Sequence, residues 1–171
     1  MIKMKKVINN YLNQYKEVYD NKLFYYQDDA TQMKLNSTED LNQYFESIKN
    51  CLKCSLGYKR KNFVFGAGNP NAEIVFVGEA PGKNEDLKGE PFVGRSGKLL
   101  DKILEAVNLS RKDIYILNVL KCRPPENRAP HPSEIDECEP YLKKQLKIIK
   151  PKLIVALGRI SAMTLLKKKD S

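Results

Sequence analysis

Three short apolar runs punctuate the second half of the chain: Ile74-Val75-Phe76-Val77, Ile114-Tyr115-Ile116-Leu117-Asn118-Val119 and Leu153-Ile154-Val155-Ala156-Leu157-Gly158. Each is β-rich, continuous rather than alternating, and bounded by turn-forming residues, which reads as a strand covered on both faces. Between them, helical spacing extends from Gly97 to Val107 and from Ser133 to Ile149. Strand, helix, strand, helix, strand predicts a parallel sheet, with its functional crevice beyond the carboxyl ends of the strands. The loops Gly78 to Gly82 and Asn118 to Arg123 both emerge at that edge.

Upstream, Ser37-Thr38-Glu39-Asp40 precedes apolar positions Leu41, Tyr44, Phe45 and Ile48, a helix start followed by spacings of three and four. That helix is expected to deliver Cys51 and Cys54. Residues 1–38 are rich in Asn, Lys, Tyr and Gln, with Val7, Tyr11, Leu12 and Tyr15 at helical spacing ahead of an irregular arm. The chain therefore divides into an extension over 1–38 and a domain over 39–171.

A chain of 171 residues with 42% hydrophobic composition is large enough for one domain with a real core. Thirty Lys and Arg against 21 Asp and Glu give a net charge of +9, which suits an anionic partner or simply a basic surface. Met1 to Asn10 contains no apolar stretch of signal-peptide length, and no run approaches a membrane span, so a cytoplasmic protein without a membrane partner is expected. In that reducing compartment four cysteines, at 51, 54, 122 and 138, suggest ligands rather than two disulfides. Four thiolates satisfy a 4Fe-4S cluster as readily as a zinc ion, and their spacing leaves both open.

The loop Gly78-Glu79-Ala80-Pro81-Gly82 lets main-chain amides approach a phosphate or a carbonyl oxygen, because little side chain intervenes. Gly94-Arg95-Ser96-Gly97 supplies a second anion-friendly helix start.

Taken in order, the motifs resemble the family 4 uracil-DNA glycosylases over about residues 48 to 166. They are Cys51-x-x-Cys54, Gly78-Glu79-Ala80-Pro81-Gly82-x-x-Glu85-Asp86, and Gly89-x-Pro91-Phe92-Val93-Gly94-Arg95-x-Gly97-x-Leu99-Leu100. There follow Asn118-x-x-Lys121-Cys122-Arg123-Pro124-Pro125-x-Asn127-Arg128, Cys138 and Leu157-Gly158.

The resemblance implies a three-layer α/β/α fold around a parallel central sheet, with a 4Fe-4S cluster on Cys51, Cys54, Cys122 and Cys138. It further implies a monomeric DNA-repair enzyme that flips uracil out of DNA and hydrolyses its N-glycosidic bond. Phe92 would stack on the base, and the Asn118 amide would offer it a donor and an acceptor, which rejects cytosine. Glu79 would face the sugar, where positive charge builds as the bond breaks, and act with Asn118 as a catalytic group. Ala80 would lie against the uracil, and Glu85 would exclude the thymine methyl by bulk. Arg95, Lys98, Arg123 and Arg128 are the candidate phosphate contacts.

The sequence also departs from that family, whose members continue past Leu157-Gly158 with another strand and a His-Pro motif. This chain stops at Ser171 after Lys167-Lys168-Lys169. The expectation is a truncated domain whose last strand is missing, with Leu153 to Leu157 left as a bare apolar edge. Losing the histidine's hydrogen bond to the leaving base would cost on the order of a hundred- to a thousand-fold in rate, leaving activity weak or absent. His131-Pro132-Ser133 imitates the motif but precedes Cys138, so His131 is expected to be an exposed loop residue. Two other readings compete: a non-catalytic cluster-containing module that binds DNA or protein, and a zinc-stabilised structural protein.

Overall fold

The computed structural model describes residues 37–166. The helix and arm expected within the amino-terminal extension lie outside the described residues, apart from its last two positions. Those open helix α1, Ser37–Ile48, with Glu39 and Asp40 in the first turn, where the helix dipole favours negative charge.

Strands β2 (Ile74–Gly78), β3 (Ile114–Asn118) and β4 (Leu153–Ala156) form on the three apolar runs. β2 pairs in parallel with both β3 and β4, as the alternation of strand and helix predicted. A two-residue strand, β1 (Ala67–Gly68), adds an antiparallel edge against β3, so the order is β1-β3-β2-β4 and the sheet is mixed. No apolar run announced β1. Its pairing depends on Gly68, at φ 127°, where a Cβ would stand 2.2 Å from the Ile114 carbonyl oxygen.

Helix α3, Arg95–Ala106, connects β2 to β3, and α4, Pro132–Ile149, connects β3 to β4. The two crossovers run in opposite directions across the sheet. Right-handed connection therefore puts α3 and α4 on opposite faces, giving three layers. Two further helices were not read in the sequence: α2, Lys83–Lys88, and α5, Arg159–Leu166. At six and eight residues they are too short to show a clear period.

The main core lies on the α4 face. Val75 and Val77 of β2, Tyr115 and Leu117 of β3, and Tyr141, Leu142 and Ile149 of α4 join Leu41, Leu56, Phe63 and Phe65 in one cluster. Tyr44 and Phe45 of α1 meet Phe65 edge-on, with ring centroids 6.1 and 5.3 Å away. The pleat sends alternate residues, Ile74, Phe76 and Gly78 on β2 and Ile114, Ile116 and Asn118 on β3, toward the α3 side.

All five positions of β3 are buried, as expected for a strand covered on both faces. β4 differs from that reading: Leu153 and Ile154 are 36% and 40% exposed, because β4 has a strand on one side only among the described residues. This is the apolar edge expected for Leu153 to Leu157. No helix among the described residues is long and apolar enough to cross a membrane.

Candidate active site and cysteine centre

Parallel register sets Gly78 directly beside Asn118 at the carboxyl ends of β2 and β3. Both face away from the main core, toward the loop that leads into α3. That loop brings Phe92 over Gly78: a Cβ on Gly78 would lie 2.6 and 2.7 Å from the Phe92 ring and 2.4 Å from Asn118 Oδ1. A platform, an amide and a bare backbone therefore converge on one spot, and only glycine leaves it open. Asn118 is 2% exposed, and its Oδ1 is buried with no hydrogen-bond partner. A buried amide oxygen without a donor costs free energy, so this acceptor is poised for a ligand's N–H.

The other predicted site residues lie in the segments that follow β2 and β3. Glu79 is half-buried at the exit of β2, where its carbonyl accepts from Leu120 N at 3.0 Å, extending the ladder beyond the strands. Ala80 packs against the main core. Glu85 is buried, and its Oε1 accepts from the amides of Val93 and Gly94 at 2.9 and 2.8 Å. The carboxylate thereby caps the start of α3 and ties down the loop that carries Phe92. Arg95 and Lys98 are exposed in the first turn of α3, close in sequence to the platform.

Arg123 and Arg128 lie in the segment between β3 and α4. Arg123 Nε donates to Asn127 Oδ1 at 2.8 Å. Arg128 forks onto Glu134, Nη1 to Oε2 at 2.9 Å and Nη2 to Oε1 at 2.6 Å. This contact, with the His131 amide adding to it, holds the Glu134 carboxyl below its ordinary range. His131 is exposed, as expected, but it stands at the N-cap of α4 rather than within a loop.

The four cysteines are free thiols, Cys51 and Cys54 half-buried and Cys122 and Cys138 buried. Cys51 and Cys54 follow α1, as the helix pattern required, and Cys138 sits in the second turn of α4. Burial pushes the Cys138 thiol up to about 12, opposed by Lys121 and reinforced by Cys122 and Cys54. Burial also raises Cys122, opposed by Arg60 and reinforced by Cys54 and Cys51. Each buried thiol thus feels the charge of two others.

Donors converge on the sulfurs. Tyr141 Oη donates to Cys51 Sγ at 3.0 Å, Arg60 Nη1 to Cys122 Sγ at 3.4 Å, and the Lys121 amide to Cys138 Sγ at 3.3 Å. Hydrogen bonds of this kind orient and support a sulfur that ligates a metal. No group of three or more His, Cys, Asp or Glu side chains among the described residues stands in metal-holding geometry. The donor set itself, four thiols with N–H and O–H groups aimed at sulfur, fits a sulfur-ligated group.

Sequence reasoning passed over these supports. Tyr141 had a signal, since it lies three residues after Cys138 on one helix and shares its face. Arg60 had none: its guanidinium also reaches the carbonyls of Cys51 and Lys49, at 2.6 and 2.7 Å, through tertiary folding alone. Lys121 is fully buried, and its Nζ donates to the Asn118 carbonyl at 2.8 Å, so one residue joins the two sites.

The sequence family described as the uracil DNA glycosylase superfamily matches residues 65–170. Similar proteins include the type-4 uracil-DNA glycosylase of Archaeoglobus fulgidus, 56% identical over 124 residues, which are 72% of this chain and 62% of that one. The type-4 uracil-DNA glycosylase of Saccharolobus solfataricus is 50% identical over 131 residues, covering 76% and 61% of the two chains. That of Thermotoga maritima is 51% identical over 113 residues, covering 66% and 59%. The chain spans about three fifths of the length of these curated relatives. The matched stretch contains β2, β3 and β4 together with the Gly78, Phe92 and Asn118 constellation, and on that match the chain belongs to the uracil DNA glycosylase superfamily.

Proposed function

We propose that this chain carries the uracil-recognition part of a DNA-repair glycosylase, which takes a flipped uracil from DNA and hydrolyses its N-glycosidic bond. The observation that carries this reading is the partnerless, buried Oδ1 of Asn118 beside the Phe92 ring above Gly78. Uracil presents an N–H at its Watson-Crick edge where cytosine presents an acceptor, so a fixed amide oxygen rewards one and repels the other. Phe92 stacks on the base. Glu79, at the exit of β2, stabilises positive charge on the sugar, and Ala80 and Glu85 shape the pocket wall. Arg95 and Lys98 at the start of α3, with Arg123 and Arg128 across the loop, hold backbone phosphates.

In the same proposal Cys51, Cys54, Cys122 and Cys138 hold a 4Fe-4S cluster. When bound, it supplies a structural cross-link rather than hydrolytic chemistry. The donors from Tyr141, Arg60 and the Lys121 amide support thiolate ligation. The setting is the cytoplasm, where thiols stay reduced, and the acting species is a monomer.

Purification under anaerobic conditions tests the cofactor: a brown, iron-containing protein is expected, and a colourless zinc protein would overturn the cluster. Incubation with a single-stranded oligonucleotide bearing one uracil, followed by alkali, tests the reaction. Weak strand cleavage at the uracil is expected from the wild type and its loss from Asn118→Ala. Tight DNA binding without any base release would favour the binding-module reading instead.

A further inference from the structure

Phe92 adopts φ 55°, the left-handed region that bulky side chains rarely occupy. A conformation of that kind persists only where its surroundings over-determine it. On its amino-terminal side, Arg111 meets the loop's carbonyls: Nη1 donates to Pro91 O at 3.2 Å, and Nη2 donates to Phe92 O. Arg111 Nε in turn donates to Asp101 Oδ1 at 2.6 Å, which fixes the plane of the guanidinium from α3. On the carboxyl-terminal side, Glu85 holds the amides of Val93 and Gly94. Below, Gly97 allows the closest approach, since a Cβ there would stand 1.7 Å from Phe92 O.

We propose that Arg111 is a positioning residue for uracil recognition, holding Phe92 in its left-handed conformation so that the ring stays over Gly78. The proposal rests on Phe92 being the uracil platform. Arg111 hydrogen-bonds Asp101 and the Pro91 and Phe92 carbonyls, not Asn118 or Gly78, and acts through those two carbonyls. Three acceptors, two main-chain oxygens and one carboxylate, match the planar fork of a guanidinium. A lysine ammonium is a point donor and cannot span them. Without the fork, the Phe92 peptide relaxes toward negative φ and carries the ring off the base.

A non-cleavable oligonucleotide carrying one 2′-fluoro-2′-deoxyuridine provides the readout, compared with the same oligonucleotide carrying cytidine. Arg111→Lys is expected to lower the preference for the uracil strand about tenfold to a hundredfold, leaving affinity for the cytidine strand unchanged. In a Phe92→Ala background the same substitution should have no further effect, because the residue acts through that ring. A preference that survives Arg111→Lys, or an equal loss with and without Phe92, would overturn the proposal. Should Arg111→Lys fail to fold, Asp101→Ala keeps the arginine but removes its anchor. It is expected to lower the preference several-fold, and an unchanged preference overturns the proposal. Asn118→Ala serves as the reference for the underlying reading: if it binds uracil as well as the wild type does, the uracil-pocket assignment fails, whatever Arg111 does.

Discussion

Lys121 Nζ donates to the main-chain carbonyl of Asn118 at 2.8 Å from a position with no exposed surface, while the amide of the same lysine donates to Cys138 Sγ at 3.3 Å. One buried residue thus touches both the strand end that bears Asn118 and the cysteine centre. Burial pushes its ammonium down to about 8, opposed by Cys138 and Cys122. Lys121→Met keeps the volume but orphans the Asn118 carbonyl, while relief of the buried ammonium works the other way on stability. The expected signature is a fall of about tenfold to a hundredfold in uracil release with a small change in Tm. Wild-type turnover in this variant would remove Lys121 from the recognition machinery.

Gly78→Ala isolates the crowding at the centre of the site. Its Cβ would stand 2.4 Å from Asn118 Oδ1 and 2.6 Å from the Phe92 ring. Since Gly78 is not at positive φ, the backbone tolerates alanine and the fold should remain. Uracil excision is expected to drop by roughly a hundredfold or more, as for a displaced catalytic group. Single-turnover kinetics alongside circular dichroism would check both halves.

The Arg128 and Glu134 pair predicts an acid-side dependence. Arg128, with help from the His131 amide, depresses the Glu134 carboxyl in the folded state. A depressed carboxyl contributes stability that is complete above its unfolded pKa, about 4.3, and is lost as pH falls through the folded value. The Tm of Glu134→Gln should therefore trail the wild type at pH 7 and converge with it in acid. A gap that stays constant down to pH 3 would contradict this account.

Removing the proposed cluster should loosen one side of the molecule. Cys51 and Cys54 follow α1, Cys122 lies in the loop after β3, and Cys138 lies in α4, so one cross-link would join three segments distant in sequence. Oxidation followed by iron chelation is expected to raise amide exchange over residues 49–61 and 119–128 while β2 and β3 stay protected. Uniform protection before and after chelation would refute the structural role.

The three strands were legible because their residues are apolar without interruption, and parallel pairing followed from the helices between them. The Gly78, Phe92 and Asn118 constellation was legible as motif letters. Its physical content, an amide oxygen left without a donor, needed the register of β2 against β3. Arg60 and Arg111 were invisible for a common reason: each reaches back through a long side chain to main-chain carbonyls 9 to 20 residues earlier, which leaves no periodic or spacing signal. β1 was hidden because two residues, one of them glycine, carry no pattern. For Glu85 the resemblance implies a place in the pocket wall, while its bonds to the Val93 and Gly94 amides could not be read from its letter.

From Ile114 through Cys122 every residue is buried. Such a stretch works as a ruler, because side chains alternate faces along β3 and Lys121 ties the turn that carries Cys122 to the Asn118 carbonyl. Deleting one residue between Ile114 and Leu117 would swing Asn118 to the opposite face of the sheet or drag Cys122 out of reach of its partners. Length along this stretch is therefore as strict a requirement as composition, and insertions or deletions should be far less tolerated here than conservative replacements.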